Sequence, residues 1–408
     1  MRKHSVKSAA IVVGVLLVAA CSTNKTEGGS TAGGSCDTSK GTLTVGVIAP
    51  QSGGLSALGL GIKNSAQLAV DEANEKCTVK GYKLAVDTQD DEANPAKGAQ
   101  AATKLASDTS VVGVIGTLNS SVAQTVQPIL FEKKIVQVSP ANTNPSLTRG
   151  ENFATAPARA FANYFRVCTT DDLQGPFAAD YLVNDAGKKK IAIITDGKTY
   201  GEGLATEFAA RVKAKGGEIV AQEKVGEKDT DFAGVISTIK AANPEALYYG
   251  GEYPQGGPLS KQLKDAQLNI PLMGGDGIFD GKFIELGGKD GDLATSVGAP
   301  TESLPSAKTF VDAYSAKKYS DAYGAYGAFS YDAANAIIAS LATTLGDGGE
   351  WSEDKRDALI EAVGKYSASG ATGDVAFDEF GDSTNKVLTV YQVTAGAWKD
   401  AKTGEFAG

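Results

Sequence analysis

Between Leu43 and Leu345 the chain alternates short apolar runs with amphipathic helical stretches, and this order constrains the fold more than any single residue. LTVGVIAP at 43–50 precedes a helical pattern over 62–76, YKLAVDT at 82–88 one over 95–107, and VVGVIG at 111–116 one over 121–133, with a fourth strand expected at 135–139. Val-, Ile- and Leu-rich runs of this kind suit strands buried on both faces, and helices between them supply the crossovers that parallel neighbours need. A second set follows the loop at 169–174. It has a helix over 176–186, KIAIIT at 190–195, a helix opened by YGEGLATEF, and strands at 218–222, 246–249 and 271–273. ATSVGAP at 294–300 reads as one more strand, with helices at 306–318 and 331–345 beyond it. No linker-like composition separates the sets. The expected fold is α/β, two similar doubly wound parallel-sheet lobes joined by several chain crossings.

In such sheets ligands meet the carboxyl ends of strands, here followed by polar, glycine-rich segments. QSGGLSALG, TLNSSVAQ and SPANTNP follow strands of the first set; DGKTYGEG, GGEYPQGGP and GGDGIFDG follow strands of the second. Singly, each is turn chemistry: Ser120 caps its own helix, Asp276 makes an Asp-Gly turn, Glu252 is a solvated acid, and Tyr200 and Tyr326 are half-buried core tyrosines. Together they suggest more. Ser120 and Thr143 offer hydroxyls and loop amides to an anion, Asp276 and Glu252 offer carboxylates to a cation, and the tyrosines can wall a pocket. A ligand carrying both charges a few ångströms apart would use both sets, and an α-amino acid is the obvious case.

The chain opens MRKHSVKSAAIVVGVLLVAAC, with a basic start, an apolar stretch and small residues before Cys21, the pattern of a secretory signal over residues 1–20. The apolar stretch is shorter than the roughly 20 residues that span a bilayer. Cys21 resembles the cysteine of a bacterial lipobox, so a lipidated Cys21 and a flexible Gly/Ser-rich tether over 21–40 are expected, holding the protein outside the cytoplasm on the membrane. Loss of residues 1–20 takes the net charge from −9 to −12 and removes His4, the one histidine of the sequence. No basic face for nucleic acid is then expected, and imidazole-based catalysis and His-containing metal sites are excluded. Cys36, Cys77 and Cys168 allow three pairings; their positions favour a Cys36–Cys77 disulfide with Cys168 buried and free.

Signals for enzymes are weak. GEGLAT at 201–206 lacks the third glycine of a dinucleotide fingerprint, and the sequence has no phosphate-loop lysine motif, no GxSxG and no metal-ligand spacing. No cofactor, metal or catalytic residue is expected.

TLNSSVAQ, SPANTNPSLT, DLQGPFAADY, TYGEGLA, ALYYGGEYPQ and PLMGGDG, in that order, resemble the extracytoplasmic solute-binding proteins of branched-chain amino acid ABC importers, the Leu/Ile/Val-binding family with the type I periplasmic-binding fold. The likeness runs from about Gly41 to the C-terminus. It implies lobes over 41–170 plus 298–386 and 171–297 plus 387–408, hinge closure on the ligand, and a monomer that docks on permease subunits. Residue by residue, it implies that Ser120 binds the α-carboxylate, that the Ala141 carbonyl accepts from the ammonium, that Thr143 touches both, and that Asp276 pairs with the ammonium. Tyr200 matches a cleft tyrosine and Tyr326 an aromatic beside the side-chain pocket. Three positions depart from the family: Asp276 replaces a longer glutamate, Glu252 stands where a tyrosine is usual, and Leu58 where an aromatic covers the ligand's side chain. Leu58 and Tyr326 favour an aliphatic ligand; Glu252 leaves polar, amide or cationic ones open. A tethered sensor and an extracellular hydrolase are the alternative readings.

Overall fold

The computed structural model describes residues 36–408; the expected signal segment, the expected lipidation site at Cys21 and the expected tether as far as Ser35 lie outside the described residues. The first sheet contains β1 (Thr42–Ala49), β2 (Lys83–Asp90), β3 (Val111–Gly116), β4 (Val136–Ser139) and β5 (Tyr164–Arg166), in the order β2-β1-β3-β4-β5 with every pair parallel. Helices α1 (Ser56–Glu75), α2 (Pro95–Ala106) and α3 (Ser120–Glu132) make the crossovers, and a single turn, α4 (Ser146–Arg149), precedes β5. β3 and β4 are buried along their whole length, and this is why they read as unbroken apolar runs. The start of α2 follows capping chemistry, with Pro95 at its first position and the Asn94 side chain accepting from the amides of Ala96 and Lys97.

Helix α1 begins at Ser56, ahead of the expected start. Gly59 and Gly61 obscure the helical pattern there because they pack backbone to backbone: a Cβ on Gly59 would lie 1.8 Å from the Pro50 carbonyl oxygen.

The second sheet is approached through α5 (Asp171–Asp180), followed by β6 (Lys190–Thr195), α6 (Thr199–Ala214), β7 (Glu218–Lys224), α7 (Ala233–Ala241), β8 (Ala246–Gly250), α8 (Tyr253–Asp265), β9 (Leu272–Gly274), α9 (Gly281–Glu285) and β10 (Leu293–Val297). The chain then returns to pack α10 (Lys308–Lys317) and α11 (Gly327–Leu345) on α1, and α12 (Arg356–Gly364) against α11 and β4. A small hairpin, β11 (Ser367–Gly370) and β12 (Gly373–Ala376), precedes β13 (Val387–Thr394) and β14 (Ala397–Glu405), which rejoin the second sheet. Its order is β14-β13-β10-β9-β8-β6-β7.

This sheet is parallel from β7 to β10 but ends in two antiparallel strands, which the sequence reading did not identify. They join through Ala395 and Gly396, both at positive φ, the two-residue turn whose twist suits a hairpin. α5 likewise starts at Asp171 rather than Pro176: Asp171 and Asp172 occupy its first turn, where acids complement the helix dipole, and Pro176 lies inside the helix. The chain thus passes between two α/β lobes after β5, after β10 and before β13. Cys36 and Cys77 form the disulfide, pinning the segment before β1 to the end of α1, and Cys168 is buried and free.

Candidate ligand cleft

The loops at the carboxyl ends of the strands meet between the lobes around a cavity of about 20 Å³. Leu58, Leu118, Asn119, Ser120 and Ala141 line it from the first lobe; Tyr200, Glu252, Asp276 and Gly277 line it from the second, and Tyr326 enters from the loop before α11. Larger grooves of about 370 and 680 Å³ exist elsewhere, but neither contains Ser120 or Asp276, which face each other across this cavity. Of the eight residues singled out in the sequence, seven line it. Thr143 does not: it is buried just outside, its carbonyl accepting from the Asp171 amide at 2.9 Å. Its hydroxyl lies near enough to the Asp171 carboxyl to favour the charged form, yet satisfies hydrogen-bond geometry with no group.

Ser120 opens α3 directly after the β3 turn, and the loops after β3 and β4 are stitched together beneath it. Ser139 Oγ donates to the Thr117 carbonyl at 3.0 Å and accepts from the amides of Ala141 and Asn142 at 3.1 and 2.8 Å. Asn142 Nδ2 donates to the Leu118 carbonyl at 2.9 Å, and Tyr164 Oη donates to Asn142 Oδ1 at 3.0 Å. These contacts fix where Ser120 and Ala141 stand relative to each other. Asn119 stands at the cap position of α3 but makes no side-chain cap bond; its amide donates across the cleft to Glu252.

Asp276 follows β9 and is 1% exposed. Its Oδ1 accepts from Tyr200 Oη at 2.8 Å and Gln174 Nε2 at 3.0 Å, and its Oδ2 accepts from Tyr326 Oη at 2.7 Å. Gln174 is itself oriented by the Asp276 amide at 2.9 Å and the Thr295 hydroxyl at 2.8 Å, both donating to its Oε1. Burial pushes the Asp276 carboxyl above its usual range, opposed by the bonds from Tyr326, Gln174 and Tyr200. Burial and the Asp276 charge hold both tyrosine hydroxyls well above theirs, so they stay donors. Two glycines permit this arrangement: a Cβ on Gly275 would lie 2.4 Å from Tyr200 Oη, and one on Gly277 would lie 2.9 Å from its ring.

Glu252 is not the solvated acid that its sequence context suggests. It sits in the cap position of α8, 9% exposed, where it receives the Asn119 amide and the Lys198 ammonium, Nζ to Oε2 3.1 Å. The Lys198 ammonium is held above its ordinary range: burial opposes the charge, but Glu252 and Asp196 outweigh it. Asp91 and Asp196 are pushed up to about 7, chiefly by burial and partly by the charge on Glu252.

Several bonds therefore cross the cleft. Besides Asn119–Glu252 and Tyr326–Asp276, Tyr253 Oη donates to the Gly54 carbonyl at 2.5 Å, Asn144 Nδ2 to the Thr199 carbonyl at 3.0 Å, and Thr199 Oγ1 to Gln124 Oε1 at 3.1 Å. The lobes are closed on each other. Sequence reasoning missed Asn119, Gln174 and Lys198 as partners, although all three stand in blocks it quoted. Their roles depend on groups distant in the chain, and turn chemistry carries no signal for those. Among the described residues, no group of three or more His, Cys, Asp or Glu side chains is placed to hold a metal ion.

Residues 42–398 match the family model described as periplasmic binding protein. The Leu/Ile/Val-binding protein BraC3 of Rhizobium johnstonii is 34% identical over 356 residues, covering 87% of this chain and 92% of that protein. The crystal structure of a leucine-binding protein, LivK, of Thermotoga maritima superposes with a TM-score of 0.78 at 28% identity, covering 88% of this chain and 98% of the other. A branched-chain amino acid transporter substrate-binding protein, LivJ, of Streptococcus pneumoniae, in complex with isoleucine, superposes with a TM-score of 0.77 at 25% identity, covering 90% and 99%. With matches across nearly the whole of the two lobes, this chain belongs to the periplasmic binding protein family.

Proposed function

We propose that this protein binds a small amino acid, a branched-chain one first of all, in the interlobe cleft and delivers it to the permease of an ABC importer. The carrying observation is the facing pair in one cavity: a hydroxyl at a helix start, Ser120, and a buried carboxylate, Asp276. A zwitterion's carboxylate suits the first and its ammonium the second. Ala141 supplies a further acceptor for the ammonium, Thr143 standing buried just outside the cavity, and Leu58 and Leu118 supply an apolar surface for an aliphatic side chain. Lys198 and Asn119 answer the charge of Glu252, which supports a neutral rather than a cationic side chain. The names of the similar proteins point to the same ligand class.

A cavity of about 20 Å³ admits little more than one water-sized sphere, so an amino acid reaches these residues only when the lobes part. Binding is then a hinge cycle: the open cleft admits the ligand, and closure brings Tyr200 and Asp276 onto it. Micromolar affinity corresponds to about −8.2 kcal/mol, which a few charge-assisted hydrogen bonds and one buried aliphatic group supply after the cost of association. Lipidation at Cys21 would hold this monomeric binder outside the cytoplasm near its permease. No reaction on the ligand is proposed.

The test is isothermal titration of residues 36–408, refolded to strip bound ligand, against the twenty amino acids and a few small amides. Tight binding of leucine, isoleucine or valine that is lost in Ser120→Ala and Asp276→Ala is the expected result. Silence across the panel would overturn the ligand assignment.

A further inference from the structure

One buried arginine stands behind the cleft. Arg166, at the end of β5, is 0% exposed, and its guanidinium is consumed by four partners. Nη1 donates to the carbonyls of Asn142 at 2.7 Å and Asn144 at 2.9 Å, the two residues that bracket Thr143. Nη2 donates to Thr148 Oγ1, and Nε to Asp382 Oδ1 at 2.7 Å. Asp382 arrives from a segment more than two hundred residues away in sequence and also pairs with Arg149, Nε to Oδ2 3.1 Å. Arg149 continues into the second lobe, where its Nη2 meets both oxygens of Asp172, in the first turn of α5, at 2.8 and 2.9 Å. On its other side the loop is held by the Asp171 amide on the Thr143 carbonyl.

We propose that Arg166 is the positioning residue for the 141–144 loop, holding Ala141 at the cavity wall in the geometry that recognises a ligand ammonium. Asp382 holds Arg166 in turn, and the Arg149–Asp172 pair ties α4, the turn after this loop, to the second lobe. A planar fork donating to two carbonyls at once fixes both position and tilt of the peptide between them; a lysine ammonium has the charge without the fork. The Thr143 hydroxyl lies buried beside the Asp171 carboxyl at the centre of this clamp. The β3–α3 turn that carries Ser120 makes no direct bond with Arg166; its Thr117 and Leu118 carbonyls accept from Ser139 Oγ and Asn142 Nδ2.

This inference rests on the amino-acid site proposed above, and its test separates the two. Leucine and 4-methylpentanoate, which keeps the carboxylate and side chain but lacks the ammonium, are titrated into the wild type, Arg166→Lys and Asp382→Asn. Leucine affinity is expected to fall about tenfold or more in Arg166→Lys, the scale of a lost bond to a charged group, while that for 4-methylpentanoate stays within about threefold. Asp382→Asn should shift the same ratio in the same direction. Equal losses for both ligands, or none, would show an arginine that only supports the fold. Hydrogen exchange on the ligand-free protein supplies the second readout: residues 140–149 should exchange about tenfold faster in either variant while residues 111–132 keep wild-type rates. If the wild type binds neither compound, the ligand assignment fails, and exchange alone decides the clamp; unchanged exchange in the loop overturns it. Should Arg166→Lys not fold, Asp382→Asn carries both measurements.

Discussion

Asn119 and Glu252 sit on opposite lobes, and the side-chain amide of the first donates to the carboxylate of the second across the mouth of the cleft. Lys198 holds the other oxygen of Glu252 from within the same lobe, so the acid is aimed at Asn119. Closure and the architecture of the cavity wall are thereby joined in one contact.

Glu252→Gln should weaken this latch without emptying the cavity wall. Lys198 loses its buried counter-charge, and the bond to Asn119 is no longer charge-assisted. Leucine affinity is expected to drop about tenfold, mainly through faster release, because the closed form loses a bond of about 1.5–3 kcal/mol. Stopped-flow dissociation checks this; an unchanged release rate would show that the latch does not hold the lobes.

Tyr326→Phe removes from Asp276 Oδ2 its one donor among the described residues and leaves Tyr200 and Gln174 on Oδ1. A buried carboxylate oxygen left unpaired costs about 1–3 kcal/mol, so both melting temperature and ligand affinity should fall. Thermal denaturation with and without leucine separates the two contributions. A variant as stable and as tight-binding as the wild type would mean that another donor reaches Oδ2.

Asp91 and Asp196 set a pH dependence. Each has an ordinary value of 3.8 and is raised to about 7 in the folded protein, chiefly by burial; the charges of Asp90 and Glu252 add to Asp91 against the Ala93 amide, and those of Glu252 and Glu202 add to Asp196 against the amide and charge of Lys198. Between those values the unfolded chain gives up protons that the folded chain keeps. Their contribution to stability is therefore full below pH 3.8, falls as pH rises towards 7, and levels off above it. Asp91→Asn and Asp196→Asn should each flatten the melting temperature between pH 5 and about 7.5. Parallel profiles for wild type and both variants would refute this assignment.

Replacing Cys36 and Cys77 by serine opens a loop spanning 41 positions, for which chain entropy gives about 4 kcal/mol of lost stability. Because the bridge lies at the outer end of α1, leucine affinity at 25 °C should stay within about twofold while the denaturation midpoint drops. Cys168 adds a control: it is buried and its thiol is pushed up by burial, so iodoacetamide should label it only after unfolding. Labelling of the native protein would mean that its surroundings open readily.

Strands buried on both faces announce themselves, and β1, β3, β4, β6 and β8 all stand where their apolar runs place them. The disulfide was legible too, from the places of its cysteines beside the first strand and first helix. β14 was not, because most of its residues are exposed and polar and it exists only through its partner β13. α8 was hidden by Pro254, Gly256, Gly257 and Pro258; the glycines are there because Ile278 and Leu286 pack against them.

The cavity divides along the same line. Ser120, Tyr200 and Asp276 were accessible because each follows a strand end or stands in the first turn of a helix, positions fixed by local pattern and by the rule for ligand sites in parallel sheets; Ala141 came only from the family resemblance. What the sequence by itself determined is therefore the alternation of elements, the two sheets it builds and the strand ends that gather around the cavity. Which side chains answer one another was decided by the tertiary structure alone. Glu252 with Asn119, Tyr326 with Asp276 and Arg166 with Asp382 are partners 133, 50 and 216 residues apart. Propensity and periodicity are properties of neighbours along the chain; the charge and hydrogen bonds of a buried group are set by what reaches it across the cleft and the hinge.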